Sequence, residues 1–466
     1  MGNINRGSEW RKWDLHIHTP ETKLSPDFKL DSDEDVWDKY CELIENSDVD
    51  VFGITDYFSV ENYFNFIEKF KTKYPQSNKV FFPNIEFRLE VSVNKMGEEV
   101  NLHVIFSNIV SQDKLNEFLS KLETNISVNQ VLLTCEKLKT KNHFEKAAID
   151  YKNLKLVLSK IFGNEKPFII VAASNNQGLR ADNKSPRKLN INDEIDKVCD
   201  SFFGNSTNTQ YFLDDNRYEP DENGFIEKSK KFPVFSGSDS HSFTSLINKL
   251  GKSYKKIDAN GKICDYSEIT WIKAEKTFEG LQQVLNEPEN RVFIGEYPVV
   301  LERIKEFPSK YIDKIEIDQV DGYDEKDGIW FKKQMAKINP ELTVIIGNKG
   351  KGKSAITDVI GLCGNSHRQK DFSFLSTIKF KKKNLAKNFE SKLSWFDKNI
   401  ITKNLNDFID ENSIEKVKYI PQNFFEDLCN NIDDDKAFRK EINDVVFRHI
   451  DETERLNKNS FDEFVD

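Results

Sequence analysis

The run Trp13-Asp14-Leu15-His16-Ile17-His18-Thr19 sets two imidazoles one residue apart at the end of a short apolar stretch. On a strand, that interval turns both rings to one face, and two same-face nitrogens are half the ligand set of a first-row metal ion. Only seven histidines occur in 466 residues, so the pairing is uncommon by chance. Farther on, Ser236-Gly237-Ser238-Asp239-Ser240-His241 repeats the interval with one carboxylate and one imidazole. A different chemistry is written in Gly347-Asn348-Lys349-Gly350-Lys351-Gly352-Lys353-Ser354, which matches the G-x-x-x-x-G-K-[ST] phosphate loop. Its glycines let backbone N–H groups turn toward phosphates, Lys353 neutralises β/γ charge, and the Ser354 hydroxyl suits Mg2+. The expected cofactor there is ATP with Mg2+.

The elements that position these groups are read from the apolar runs. From residue 13 to about 294, short apolar runs alternate with longer helix-like stretches, the pattern of an α/β domain with a largely parallel sheet or barrel. Residues 49–54 lead into Thr55-Asp56-Tyr57, 79–85 into Glu86-Phe87-Arg88, 167–172 into Ala173-Ser174-Asn175-Asn176, and 232–235 into the Gly237-Ser238-Asp239 turn. The run 100–106 carries His103 within it. Barrel and doubly wound enzymes gather functional groups at C-terminal strand ends in this way. Residues 112–162 read as two helices, 177–195 as a polar loop, and 277–286 as a closing helix before a connector at 288–298.

Beyond that connector the phosphate loop lies between a buried-type strand, 342–346, and a helix-like run, 355–362. Val417-Lys418-Tyr419-Ile420-Pro421-Gln422 reads as a strand ending in an amide that can reach the metal or attacking water at a γ-phosphate. Following a phosphate loop, it resembles the glutamine loop of ABC-type ATPases, a group that includes chromosome-maintenance and double-strand-break-repair ATPases. No clean apolar run ending in Asp-Glu follows residue 354, because 445–452 is interrupted by charge, and no Leu-Ser-Gly-Gly-like signature occurs. The ATPase is thus expected to be partial, the chain being truncated or completed by a partner. Residues 433–466 read as a charged helical arm, the start of a coiled coil. From Lys379 to Lys403, eight lysines against two acids are interleaved with Phe380, Phe389, Trp395 and Phe396. That mixture suits a nucleic-acid strand, although a solvated face over an ordinary core is the favoured reading.

The length exceeds what one hydrophobic core holds, so two or three domains are expected. A hydrophobic fraction of 38%, a charged fraction of 31% and a net charge of -10 describe a soluble globular protein and argue against a uniformly basic nucleic-acid binder. Six scattered cysteines without a C-x-x-C pair exclude a zinc ribbon or disulfide framework and point to a reducing cytosol. No signal peptide or membrane-length apolar run is evident, so the expected location is cytoplasmic, with no membrane partner.

Taken together, His16-x-His18, Ile54-Thr55-Asp56, Glu86, His103 and Gly237-Ser238-Asp239-x-His241 resemble the PHP family, the polymerase and histidinol phosphatase metallohydrolases, over roughly residues 10–294. The resemblance implies a distorted seven-stranded β/α barrel with up to three metals at the strand C-termini. His16, His18, Glu86 and Asp239 would bind the first metal. Glu86 would bridge to a second, bound also by His103, and His241 would serve a third, with Asp56 as substitute ligand. Two imidazoles of the family pattern are replaced, one by Tyr57 and one in Ala173-Ser174-Asn175. Mixed imidazole and carboxylate ligands fit Mn, Zn or Fe. Arg88 and Arg180 are candidates to hold a substrate phosphate, and Asp56, Arg88 and His241 are the expected catalytic groups.

The organisation expected is therefore a PHP metal-dependent hydrolase domain at 1–294, the N-terminal part of an ABC-type P-loop ATPase at 295–432, and the arm at 433–466. Such a fusion looks like the bacterial TrlF-like PHP-ATPase proteins. The implied function is an ATP-gated, metal-dependent phosphoesterase, a nuclease on DNA or RNA in genome maintenance or anti-phage defence. Its partners would be nucleic acid and a second ATPase head, in a homodimer or from a partner subunit. Two alternatives stay open: a nucleotide-regulated phosphomonoesterase, and a non-catalytic scaffold with a degenerate barrel.

Overall fold

The computed structural model describes residues 6–30, 35–91, 100–173, 189–218, 224, 227–257, 263–410, 412–421 and isolated positions between 439 and 465. The chain divides into two compact units, Gly7–Glu302 and the remainder. In the first, β1 (Glu9–His18), β2 (Val51–Tyr57), β3 (Val80–Arg88), β4 (Asn101–Phe106), β5 (Glu123–Val128), β6 (Val131–Thr134) and β7 (Phe168–Ala173) are followed by β8 (Ser201–Phe203), β9 (Val234–Phe235), β10 (Tyr254–Ile257), β11 (Ile263–Tyr266), β12 (Thr270–Ala274) and β13 (Val292–Ile294). Nine of them form one sheet in the order β13-β12-β1-β2-β3-β4-β7-β8-β9.

The sheet is mixed where a largely parallel one was expected, and it has nine strands where seven were expected. β1, β2 and β3 run parallel, as do β7, β8 and β9, but β4 is antiparallel to both β3 and β7, and β12 to both β1 and β13. β4 returns antiparallel to β3 after a connection of twelve residues between Arg88 and Asn101. The reversal puts the start of β4, with Asn101 and His103, beside the end of β3, where Glu86 pairs with His103. Just past β9, Ser236 and Thr270 of β12 exchange two hydrogen bonds, of 2.6 and 2.8 Å, which curls the sheet nearly closed into a barrel-like form.

Helices cover this sheet through aromatic side chains. Helix Val36–Asn46 starts at Asp35, whose carboxylate accepts the Asp38 amide, and it buries Tyr40 and Ile44. Helix Glu61–Lys73 adds Phe66 and Phe70, which meet Phe81 of β3 edge-on at ring separations of 4.9 and 4.8 Å. Residues 112–162 are not simply two helices: the β5–β6 hairpin lies between Gln112–Lys121 and Tyr151–Phe162. Asn129 and Gln130 both take positive φ at its tip, the two-residue turn that matches strand twist. The polar loop expected at 177–195 falls outside the described residues up to 188, after which helix Leu189–Asp196 begins.

In the second unit, β14 (Ile312–Gln319), β15 (Gln334–Lys337), β16 (Phe389–Trp395) and β17 (Ile400–Asn404) form an antiparallel sheet ordered β15-β14-β16-β17. Helix Lys353–Cys363 packs Val359 and Leu362 into one core with Phe372, Phe389 and Leu393. Phe380, Phe389 and Trp395 are buried, so three of the four aromatics of the lysine-rich segment serve that core, while Phe396 is half-buried. Two expected strands are absent. Residues 342–346 pair with none of the four strands, and Leu342, Val344 and Ile346 are 75%, 69% and 86% exposed. Residues 417–421 likewise join no sheet. A strand forms only when a neighbour takes up its backbone groups, and none does so here among the described residues. Most of the expected arm at 433–466 lies outside the described residues, apart from pieces such as helix Phe461–Val465. No helix among the described residues is long and apolar enough to cross a membrane.

Candidate metal centre

The centre begins with an irregularity in β1. Pairing with β2 shifts register between Asp14 and Ile17, and bulges of this kind re-aim side chains. Glycine at position 53 makes the shift possible, because a Cβ there would lie 2.1 Å from the Leu15 carbonyl oxygen. That carbonyl accepts instead from the Asn84 side-chain amide at 2.9 Å. A second close approach comes from the turn after β9, where a Cβ on Gly237 would meet the His16 Cβ at 2.4 Å. The turn is pinned to β1 twice: Asp239 N–H donates to the His16 carbonyl at 2.9 Å, and Ser238 N–H donates to both Asp14 oxygens at 3.1 and 3.2 Å. Asp239 itself sits at φ +45°, a left-handed conformation that aspartate adopts more readily than most residues in a tight turn.

Four ligand atoms converge as a result. His16 Nε2 and His18 Nε2 are 3.2 Å apart. Glu86 Oε2 lies 3.4 Å from the first and 3.5 Å from the second, and Asp239 Oδ1 lies 3.3 and 3.4 Å from them. A four-coordinate ion with bonds of about 2.0–2.1 Å has ligand-to-ligand edges of about 3.3–3.4 Å, close to these five distances, although Glu86 and Asp239 fall in separate close groupings around the two histidines. Glu86 Oε1 accepts from Asn101 Nδ2 at 2.7 Å, but Oε2 is buried with no hydrogen-bond donor among the described residues. An unpartnered buried carboxylate oxygen between two imidazoles is a site for a cation.

The surroundings also fix the tautomer of His18. Its Nδ1 is 3.2 Å from Thr22 Oγ1, which donates its own proton to Asp56 Oδ1 at 3.1 Å. The hydroxyl must therefore accept from His18 Nδ1–H, leaving Nε2 as the lone-pair nitrogen that faces the cluster. His18 has one such nitrogen, so it serves one ion. It is nevertheless shared between His16–His18–Glu86 and a second grouping of His18, Asp239 and His241.

Charge is balanced within the cluster. Burial alone would raise the Glu86 carboxyl, but the His103 and His16 imidazoles hold it down at about 2. Burial likewise opposes ionisation of Asp239, and His16 and the hydrogen bonds of His18 and His241 hold it far below the carboxylate range. Burial would lower His16, yet Asp239 and Glu86 raise it to about 9, while burial drives His18 down to about 4. Without an ion, the pair of carboxylates keeps one proton on His16.

The expected site residues fall into three groups. His16, His18, Glu86 and Asp239 come together. His241 joins through Asp239, at 3.3 Å, and stacks on His18 at a ring separation of 4.0 Å. It does not meet Asp56, the partner expected for a third metal. Asp56 lies behind His18, engaged by Thr22 Oγ1, the Lys23 and Tyr57 amides and Asn62 Nδ2 at 2.7–3.1 Å. Arg88 is also turned away: its guanidinium donates to the Glu145 carbonyl at 2.7 Å, bracing the chain before β7 instead of lining the cavity. His103 lines the cavity and packs against His16 at 4.5 Å, but belongs to neither close ligand grouping. Ser174, Asn175, Arg180 and Gln422 lie outside the described residues.

At the phosphate loop, Gly350 and Gly352 take φ of 83° and 89°, and Gly352 starts helix Lys353–Cys363. Lys353 Nζ donates to the Gly347 and Asn348 carbonyls at 2.6 and 3.2 Å, while Asn348, Lys349 and Lys351 are exposed. Ser354 and Pro421 line one cavity of about 520 Å³. The loop thus has its glycine turns and following helix, but not its preceding strand.

Sequence reasoning missed Asn84, Asp14 and Phe203. Asn84 donates to Leu15 and Thr55 and accepts from His103; Asp14 holds the 237–239 turn; and the Phe203 ring packs on His16 and His103 at 5.1 and 4.7 Å. The interval Asp14-x-His16-x-His18 carried a signal for Asp14, since it extends the His-x-His alternation by one step.

No protein family profile and no curated protein matches this chain. Among solved structures, a two-domain protein from Bacteroides vulgatus, described as containing a predicted PHP-like metal-dependent phosphoesterase, aligns over 72% of this chain and 86% of its own at 10% identity, with a TM-score of 0.34. A candidate metal-dependent phosphoesterase from Bifidobacterium adolescentis aligns over 50% of this chain and 89% of its own, again at 10% identity, with a TM-score of 0.25. Scores this low establish no shared activity, and the functional reading rests on the geometry of the centre.

Proposed function

We propose that the chain is a metal-dependent phosphoesterase acting on nucleic acid, with an ATP-binding second unit that regulates it. The observation that carries the reading is Glu86 Oε2, buried without a hydrogen-bond donor among the described residues and 3.4 and 3.5 Å from the Nε2 atoms of His16 and His18, which Asp239 Oδ1 also meets at 3.3 and 3.4 Å. The donor set, two imidazoles and two carboxylates without thiolate, fits Zn, Mn or Fe. Such an ion supplies Lewis-acid charge and a water of lowered pKa. The order of the motifs, which resembles the PHP family, points the same way.

The protein's own groups account for the rest. Thr22 and Asp56 hold the His18 ring; Asn84 and Asn101 hold His103 and Glu86; Asp14 holds the turn that delivers Asp239. Tyr57, stacked on His18 at 5.0 Å, lines the cavity, and burial pushes its phenol well above the usual range, so it stays a neutral donor for a phosphoryl oxygen. His241, 3.3 Å from Asp239 and stacked on His18, is kept as a candidate catalytic group. The cavity, of about 410 Å³, extends well past the space a phosphate needs, which favours a diester carrying further groups.

The ATP-binding part of the proposal rests on the phosphate loop and its following helix. The incomplete sheet around it favours completion by a second head or partner subunit. A substrate panel in Mn2+ tests the whole reading: cutting of single-stranded, duplex or transfer-RNA substrates supports it. Phosphate release from small monoesters alone sinks the nuclease assignment.

A further inference from the structure

The cavity that holds His16, Glu86 and Tyr57 has a wall made of residues outside the metal-ligand motifs and the phosphate loop: Lys249, Lys252, Tyr254 and Tyr266. Tyr254 opens β10 and Tyr266 closes β11, and the antiparallel register sets them directly opposite each other. Their rings are 5.3 Å apart and tilted by 54°. Lys249 is half-buried, with Nζ 6.0 Å from the Tyr254 ring and, among the described residues, no carboxylate in ion-pair range. Lys252 Nζ donates to the Ile247 carbonyl at 3.1 Å. The neighbouring carboxylate, Glu268, is already taken up by Ser206 N–H and Oγ, each at 2.8 Å.

A cross-strand tyrosine pair stabilises a hairpin by itself. That explains the ring contact, but not why an ammonium without a carboxylate lies beside it in the same cavity as a cluster of metal-ligand type. Aromatic faces next to lysines are what a base and its flanking phosphate need: stacking is indifferent to base identity, and the ammonium neutralises the backbone. We propose that this wall is a base-binding subsite, which receives the nucleobase adjoining the phosphate held at the metal centre. The substrate class is then a nucleotide-bearing phosphoester, with the base on Tyr254 and Tyr266 and the next phosphate at Lys249 and Lys252. The inference rests on the phosphoesterase reading of the centre.

The test uses the full chain in Mn2+ with two probes, a dinucleotide containing 2-aminopurine and the same dinucleotide with an abasic sugar in its place. Titration and competition give the two affinities, and hydrolysis of the abasic probe is followed separately. The expected result is binding of the base-bearing probe about tenfold tighter, a difference erased by Tyr254→Ala or Tyr266→Ala and kept by the Phe variants. Lys249→Ala should weaken both probes alike. Equal wild-type affinities alongside metal-dependent hydrolysis would overturn the subsite and leave the phosphoesterase standing. Absence of metal-dependent hydrolysis of either probe would overturn the phosphoesterase reading, and the subsite with it.

Discussion

The Nδ1 atom of His103 lies 3.2 Å from Oδ1 of Asn84, while the amide nitrogen of the same asparagine donates to the Leu15 carbonyl and to Thr55 Oγ1, both at 2.9 Å. Because that nitrogen is fully committed, Oδ1 is the acceptor and His103 Nδ1 carries the proton. His103 Nε2 is then the basic nitrogen, and the Leu15 carbonyl that shapes β1 ahead of His16 is held by the same side chain. Asn84→Ala should release both. The expected outcome is a loss of metal affinity of about 10- to 100-fold, together with about 1–3 kcal/mol of stability from the buried groups left unpaired. Metal titration and thermal unfolding of the variant check the two effects separately.

Gly237→Ala tests the close approach of the turn to β1. A Cβ would lie 2.4 Å from the His16 Cβ, and neither backbone can yield without moving Asp239. Metal content and hydrolysis should fall together while the far-ultraviolet dichroism of the sheet is retained. Normal metal content in this variant would show that the turn is not what delivers Asp239.

The pH dependence follows from His16. Burial would lower its pKa, but the Asp239 and Glu86 carboxylates raise it to about 9, against an unfolded value of 6.5. In metal-free protein its stabilising contribution is complete below pH 6.5 and is lost as the pH rises through 9. An ion must displace the same proton, so metal affinity should climb across that window. The rise in Tm on adding metal should therefore be larger at pH 9 than at pH 6.5. A pH-independent increment would show that His16 is not a ligand.

At the phosphate loop, Lys353 Nζ rests on the Gly347 and Asn348 carbonyls, a contact that incoming phosphates would replace. Lys353→Ala should abolish ATP binding, measured with a fluorescent ATP analogue. The unsubstituted 466-residue chain should turn over ATP slowly or not at all, because its described residues lack the strands that flank such a loop. Rapid turnover by this chain alone would reveal a catalytic carboxylate that completes the site without a second head or partner subunit.

Much of the centre was legible because metal-ligand residue types are rare in this composition and their intervals are short. His16, His18, Glu86 and Asp239 each close an apolar run or follow one directly, and those runs did become strands or strand ends. Direction was not legible. The apolar run of β4 does not say whether it pairs parallel or antiparallel with β3, and the reversal decides that His103 enters from near a strand's beginning. Hydrogen-bond partners were equally hidden: Asp56 and Arg88 have the right chemistry for catalysis, and the sequence does not show that Asp56 contacts Thr22 and Asn62 or that Arg88 donates to the Glu145 carbonyl. In the second unit, the apolar alternation of Leu342, Val344 and Ile346 suggests a strand, but pairing is a property of neighbours that this segment lacks among the described residues.

The most direct test of the central claim is anomalous diffraction from crystals of the full chain grown with Mn2+ or Zn2+, supported by metal analysis in solution. The account predicts one strong peak within bonding distance of His16 Nε2, His18 Nε2, Glu86 Oε2 and Asp239 Oδ1, and loss of that ion in His16→Ala and Asp239→Ala. No peak at these four atoms, or unchanged metal content in both variants, would contradict it.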